Sequence, residues 1–306
     1  MRKPTRRNRN IGTKKSGYSQ DNNMVIPQRK DDLAFWEQLN NPVIIPIKAH
    51  DHEIAIFVEP VRDGYIHACT PQDIIKILEL LPPDDVEEVE IIVLRQPKKK
   101  EEILSPVWGR YLYYVDFDKY NGSAICIEAI KPHTIVKWGS SLSPFEQKEL
   151  KLLEQDGDRI EQVKRGWNIH TTPESVRNRQ LYRTLPHEFG HAVDYARNCL
   201  EPCVDAKTEE EDEYISKVFD SKPTLEKEEF ANRYAKAFYE KHFRLGNIPF
   251  NRVLNEDFLE KTILIFVGFR KASKSRFTYL STPSQSAKAS NNRFEVSPDT
   301  STTTGV

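Results

Sequence analysis

Alternating apolar and polar residues mark out the first elements. Val43 to Ile47 and Ile54 to Glu59 carry the pattern of strands, with His50-Asp51-His52 in a turn between them. Tyr65 to Cys69 is a further short strand. Thr70-Pro71 then pairs an N-cap with a proline at the first helical position. Ile74, Ile75, Ile77, Leu78 and Leu81 keep helical spacing as far as Leu81, and Pro82-Pro83 stops the helix. Val89 to Leu94 is a strong apolar strand, and Lys98-Lys99-Lys100 a solvated turn. Tyr111 to Phe117 and Ala124 to Ile130 read as a hairpin around Asn121-Gly122, a favourable turn pair. Ser143-Pro144-Phe145-Glu146 has capping-box spacing, and its helix should stop near Asp156-Gly157-Asp158. No internal repeat is visible.

Two helices follow. Thr172-Pro173-Glu174 starts the first, and Leu181, Leu185, Phe189, Ala192 and Val193 give it an apolar stripe. It should run to about Asn198, before Pro202. Pro186 lacks the N–H that a helix interior needs, so the helix kinks there or a second one begins with Pro186 at its first position. The second helix lies near Thr224 to Phe238. Ala231, Tyr234, Ala235 and Phe238 form its apolar stripe, and Glu229, Arg233, Lys236 and Glu240 its solvated face. Between the two runs Glu209-Glu210-Glu211-Asp212-Glu213, a solvated loop or helix face that could also cover a cleft or disfavour acidic substrates.

The chemistry concentrates in His187-Glu188-Phe189-Gly190-His191. Residues four apart stack on one side of a helix, so both imidazoles can bind one zinc ion. Glu188, about 100° round the helix, stays free to act on a water at that metal. Gly190 is small enough to let another segment approach. Catalytic zinc usually takes three protein ligands and keeps one position open. Asp194 shares the histidine face but sits on the next turn, so it is assigned to orienting a ligand imidazole rather than to the metal. Glu228 is the better third ligand. It lies at the edge of the apolar stripe of its helix, where a carboxylate is costly to bury without a partner, and Ala231 and Ala235 let that helix come close. Glu229 is the fallback. His50 and His52 also have a ligand-like spacing, but an exposed turn explains them.

The run H-E-F-G-H-A-V-D, followed by Glu228-Glu229-Phe230-Ala231-Asn232-Arg233-Tyr234-Ala235, resembles the gluzincin zinc metallopeptidases. It is nearest to ImmA/IrrE-like domains, whose glutamate helix often reads E-x-E-A-N-x-F-A, and to lethal-factor-type catalytic domains. Phe230 stands where the former group has its second Glu. The likeness covers two helices. It implies an α+β, zincin-like core with a small mixed or antiparallel sheet, an HExxH helix and a following Glu-bearing helix. It also implies Zn2+ as cofactor, held by His187, His191 and Glu228, with Glu188 as general base in peptide-bond hydrolysis. Such enzymes usually add a Tyr or His that steadies the oxyanion, and Tyr182, Tyr195, Tyr214, Tyr234, His170 and His242 are the choices here. In this class an edge strand aligns an extended substrate beside the metal, and Ala124 to Ile130 is the candidate.

Bulk composition bounds the rest. The 306 residues carry 45 Lys or Arg and 46 Asp or Glu, a net charge of -1, so no global field draws the chain to nucleic acid or acidic membrane. Charge is uneven, however. Residues 1–30 hold nine Lys or Arg against Asp21 alone, which predicts a disordered basic tail and a possible nucleic-acid contact. Residues 271–306 are rich in Ser and Thr and are predicted to be disordered too. The domain between them spans 31–270, and 31–100 could form a separate α/β part. No stretch is apolar enough to span a membrane; Ile263 to Val267 should be a buried helix segment. No hydrophobic core follows the basic N-terminus, which argues against a secretory signal. Cys69, Cys126, Cys199 and Cys203 are too few for a disulfide scaffold. They point to reduced thiols in a cytoplasmic protein rather than to a second metal or redox site at Cys199 and Cys203. A protein or peptide substrate is the expected partner. The competing expectation is a regulatory or interaction protein that keeps the zinc fold with little catalysis.

Overall fold

A computed structural model describes residues 38–104, 107–117 and 119–253. The basic segment 1–30, the apolar run Ile263 to Val267 and the Ser/Thr-rich segment 271–306 lie outside the described residues. The described chain is α+β. Strands β1 (Val43–Ala49) and β2 (His52–Val58) form an antiparallel hairpin, with His50 at φ 53° in its turn. Helix α1 (Pro71–Leu78) and the short α2 (Pro83–Val86) lead to β3 (Ile91–Arg95). Helix α3 (Lys99–Leu104) precedes the hairpin of β4 (Gly109–Phe117) and β5 (Tyr120–Glu128). These five strands make one mixed sheet in the order β1-β2-β3-β5-β4, in which β2, β3 and β5 run parallel.

The sheet has two apolar faces because its central strands are apolar at successive positions, as strands covered on both sides should be. Ile54, Ile56, Ile92, Leu94, Ile125 and Ile127 point into the main core, where Ile74, Ile77 and Leu78 of α1 meet them. Ala55, Phe57, Ile91, Val93, Ala124 and Cys126 point the other way. β3 pairs with β5 across residue 100, so the described part of 31–100 shares the sheet and core with the rest of the chain and is not a separate part.

A second sheet is small and antiparallel, built from β6 (Ile135–Gly139), β7 (Arg159–Val163) and β8 (Gly166–His170) in the order β6-β8-β7. Helix α4 (Pro144–Asp156) enters it with the expected capping box of Ser143 and Glu146, and stops at Gly157, whose φ of 105° suits a residue without a side chain.

From Pro173 the chain stays helical for some thirty residues. Helix α5 (Pro173–Arg179) is capped by Thr172. A wide π turn over Gln180–Thr184 follows, then α6 (Leu185–Tyr195), a second wide turn over Ala196–Leu200, and α7 (Glu201–Val204). Each wide turn sits directly before a proline-bearing helix start. The N–H of Leu185 bonds back to Gln180, and that of Glu201 to Ala196, one residue further than in an α-helix. The extra residue takes up the mismatch that Pro186 and Pro202 create. The helix therefore passes the expected end near Asn198. Helices α8 (Glu209–Asp220) and α9 (Thr224–Arg244) complete the described fold, and α9 packs along α6.

Buried ion pairs fasten this helical layer. Arg177 of α5 binds both oxygens of Asp73 at the start of α1, at 2.9 Å each, with neither side chain exposed. Arg179 reaches Asp156 and Asp158 at the end of α4. Removing one partner of such a pair would strand a buried charge.

Several sequence expectations change. Ala124 to Ile130 is not an edge: β5 lies between β3 and β4, and β4 ends the sheet among the described residues. Asn121-Gly122 is not the hairpin turn. Phe117 pairs with Tyr120 and Asp116 with Asn121, so both residues lie within β5, and Gly122 faces Val115 beside a register shift. Tyr65 to Cys69 contributes one bridge, between Ile66 and Ile130, rather than a strand. The solvated turn at Lys98 to Lys100 is the start of α3. The helix expected to reach Leu81 stops at Leu78, and turn hydrogen bonds from Leu80 and Leu81 to Ile77 close it.

Candidate metal centre

α6 and α9 approach closely because both are small where they cross. A Cβ placed on Gly190 would come within 2.7 Å of the Ala231 Cα and 3.1 Å of the Tyr234 Cβ. Ala231 and Ala235 are buried in the contact, while Glu229, Arg233, Lys236 and Glu240 are exposed, as the amphipathic pattern of α9 requires. This crossing brings Glu228 over the imidazole pair.

The two imidazoles and the carboxylate converge. Nε2 of His187 and Nε2 of His191 are 3.1 Å apart. Glu228 Oε2 lies 3.4 Å from the first and Oε1 3.6 Å from the second. Four ligands at about 2.1 Å from a tetrahedral zinc would lie about 3.4 Å from one another. The separations thus match three corners of such a site, and two imidazoles and a carboxylate are a donor set that zinc accepts. The cluster faces solvent, with the three side chains 19%, 15% and 46% exposed in chain order. Burial lowers the pKa of both imidazoles, that of His191 to about 4 with help from the charge of His187; Glu228 opposes the shift in each. Neutral imidazole is the form that binds metal.

Glu188 occupies a drier place. Its carboxyl is buried against β4, where it accepts a hydrogen bond from the Tyr111 backbone amide. Burial pushes its pKa up to about 8, and the Glu228 charge adds to this, while the Tyr111 amide and the Arg110 charge pull it down. A dication at the cluster would pull it further down. Tyr111 pairs with Ile125 in β4, yet its amide reaches Glu188, because successive amides of an edge strand point alternately inward and outward.

The remaining expected residues lie elsewhere. Asp194 is buried, and its carboxylate meets Asn198 at 2.9 Å and Lys222 at 3.7 Å rather than a ligand imidazole. Glu229 is exposed on the far side of α9. The Tyr182 hydroxyl bonds to the Phe250 backbone, Tyr234 donates to Asp85, His170 meets Glu161, and His242 meets Asn247. Tyr214 projects from α8 at 69% exposure. Tyr195 alone of the six continues the face of α6 that carries His187 and His191. His50 and His52 bond to backbone carbonyls of Leu78, Leu81 and Val89. All four cysteines are free thiols. The acidic run forms the exposed first turns of α8, capped by Thr208.

Two contributors were not read from sequence. Asn232, one turn beyond Glu228 on α9, hydrogen-bonds His187, and its i,i+4 spacing from Glu228 was the available signal. The Tyr111 amide depends on strand order and had no signal in sequence.

No protein-family model, curated protein or solved structure matches the chain. Among the described residues, no helix is long and apolar enough to cross a membrane.

Proposed function

We propose that this protein is a zinc-dependent metallopeptidase with a gluzincin-like, zincin-type core, acting on a protein or peptide in the cytoplasm. The observation that carries the reading is the convergence of His187, His191 and Glu228 at tetrahedral separations, next to a buried Glu188 that none of the three displaces. His187 and His191 would hold zinc through Nε2, and Glu228 through its carboxylate. When bound, zinc supplies a Lewis acid that makes water nucleophilic near neutral pH. Glu188 takes the proton from the attacking water and returns it to the leaving amine. Burial keeps its carboxyl out of bulk water, and the Tyr111 amide fixes its direction. An extended substrate would lie along β4, the strand beside α6, rather than along β5. The four free thiols fit a reducing compartment.

The test is metal content of the purified full chain by mass spectrometry. About one zinc per chain is expected, with affinity sharply reduced in Glu228→Ala and retained in Glu188→Gln. A wild-type chain that takes up no stoichiometric metal when zinc is supplied would sink the reading.

A further inference from the structure

Beyond the metal cluster, β4 and α6 run on side by side and carry aromatic rings. Tyr113 is two residues past Tyr111, on the same face of the strand. Tyr195 is four residues past His191, one turn further along the imidazole face and about 6 Å along the helix axis. The two rings meet edge-on with centroids 4.7 Å apart. Phe219 of α8 lies beneath them, 5.3 Å from Tyr195 and 6.3 Å from Tyr113. An aromatic strip therefore begins where the cluster ends.

A strip with only a packing role would bury its rings. Phe219 is buried at 2%, yet Tyr113 keeps 45% of its surface in water although it touches neighbouring rings on the protein side. The register shift between Leu112 and Val115 turns this part of β4 outward, a device that commonly re-aims side chains at sheet edges beside sites. Charge at the far end narrows the choice of occupant. Lys222 and Lys227 place their ammonium groups 5.0 and 4.2 Å from the Phe219 ring. Asp194 and Asp220 carry the opposite charge beside the two tyrosines, and Asp194 pairs with Lys222 at 3.7 Å, so the strip is close to neutral and favours an uncharged side chain.

We propose that Tyr113, Tyr195 and Phe219 form a side-chain subsite, which selects peptides with an aromatic or large aliphatic residue next to the bond that is cut. The inference rests on the metallopeptidase reading and names its substrate class.

The test uses the zinc-loaded full chain and two small probes, L-phenylalanine hydroxamate and glycine hydroxamate, titrated by calorimetry. Seating a phenyl group on the strip should make the first bind about tenfold more tightly or better. Tyr113→Ala should remove most of that advantage while zinc stoichiometry holds. Tyr113→Lys, which keeps an aliphatic stem over Tyr195 should alanine not fold, should shift preference towards aspartate hydroxamate. Equal affinity of the two probes for wild type overturns the subsite and leaves the metallopeptidase reading standing. So does a phenyl advantage that survives both substitutions. A phenyl advantage without cleavage of any member of a peptide library overturns the peptidase reading and, with it, the substrate preference drawn here. A chain that holds no zinc overturns both.

Discussion

Glu188 and Glu228 stand on two walls beside the imidazole cluster, one dry and one wet. The β4 wall buries Glu188 to 7% exposure and steadies it with one backbone amide. The α9 wall leaves Glu228 at 46% exposure, its two oxygens split between two imidazoles. The two carboxylates have the same chemistry and opposite surroundings, and on the proposed function those surroundings suit one to proton transfer and the other to a metal. A group that must trade protons gains from a place where its charge is costly. A group that must stay ionised gains from water and a neighbouring cation.

Breaking the dry wall should have the largest effect. Glu188→Gln keeps the hydrogen-bonding shape and removes the base, so hydrolysis of a cleavable peptide should fall about a thousandfold with zinc retained. A loss of less than about tenfold would assign proton transfer to another group.

A third imidazole sharpens the comparison, because it is buried far from either wall. His67 is 2% exposed, meets the Glu59 carbonyl at 2.8 Å, and burial lowers its pKa from 6.5 to about 4. The neutral form is therefore the folded form. Its contribution should be complete above pH 6.5, fall as pH drops from 6.5 towards 4, and level off below. The loss is about 3 kcal/mol. Urea midpoints of wild type and His67→Gln, compared across that range, should differ in slope. Parallel curves would contradict the assignment.

Breaking the wet wall means moving α9. Alanine usually stabilises a helix by about 1 kcal/mol relative to glycine. Gly190→Ala should instead cost about 2 kcal/mol, since its new methyl group meets the Ala231 backbone at 2.7 Å. The urea midpoint should fall and zinc affinity with it. A more stable variant would show that the helices can part freely. The smallest effect belongs to Asn232. Asn232→Ala removes the hydrogen bond to His187 and should weaken zinc about tenfold, measured by competition with a chelator. Unchanged affinity would leave that hydrogen bond without a role in holding the imidazole.

The wet wall was far more legible in the sequence than the dry one, and the reason is distance along the chain. His187 and His191 are fixed by the period of a single helix. Glu228 follows from the stripe of another, and Gly190, Ala231 and Ala235 announce a close crossing by size alone. The dry wall depends on which strand ends the sheet. Alternation within a strand does not state its neighbours, so β5 was read as an edge and the Tyr111 amide was invisible. One signal was available: Ala124-Ile125-Cys126-Ile127 is apolar at every position, as a strand covered on both faces must be. Asn121-Gly122 misled for a related reason. Its glycine, at φ 130°, serves a strand irregularity opposite Val115 instead of a turn. The caps at Thr70 and Thr172 were readable from the proline that follows each, and that at Ser143 from Glu146 three residues on, because such signals are complete within four residues.

The irregular edge at β4 also bears on solubility. An exposed strand edge can template another chain, and a long flat one invites aggregation. This sheet ends on two strands poorly suited to that. β1 carries Pro46, which has no amide to offer, and Lys48. β4 breaks step between Leu112 and Val115, with Glu188 already holding the Tyr111 amide. A short peptide of the kind proposed above needs only a few regular pairs, whereas the sheet of a second copy needs many, so such a break discourages the second far more than the first.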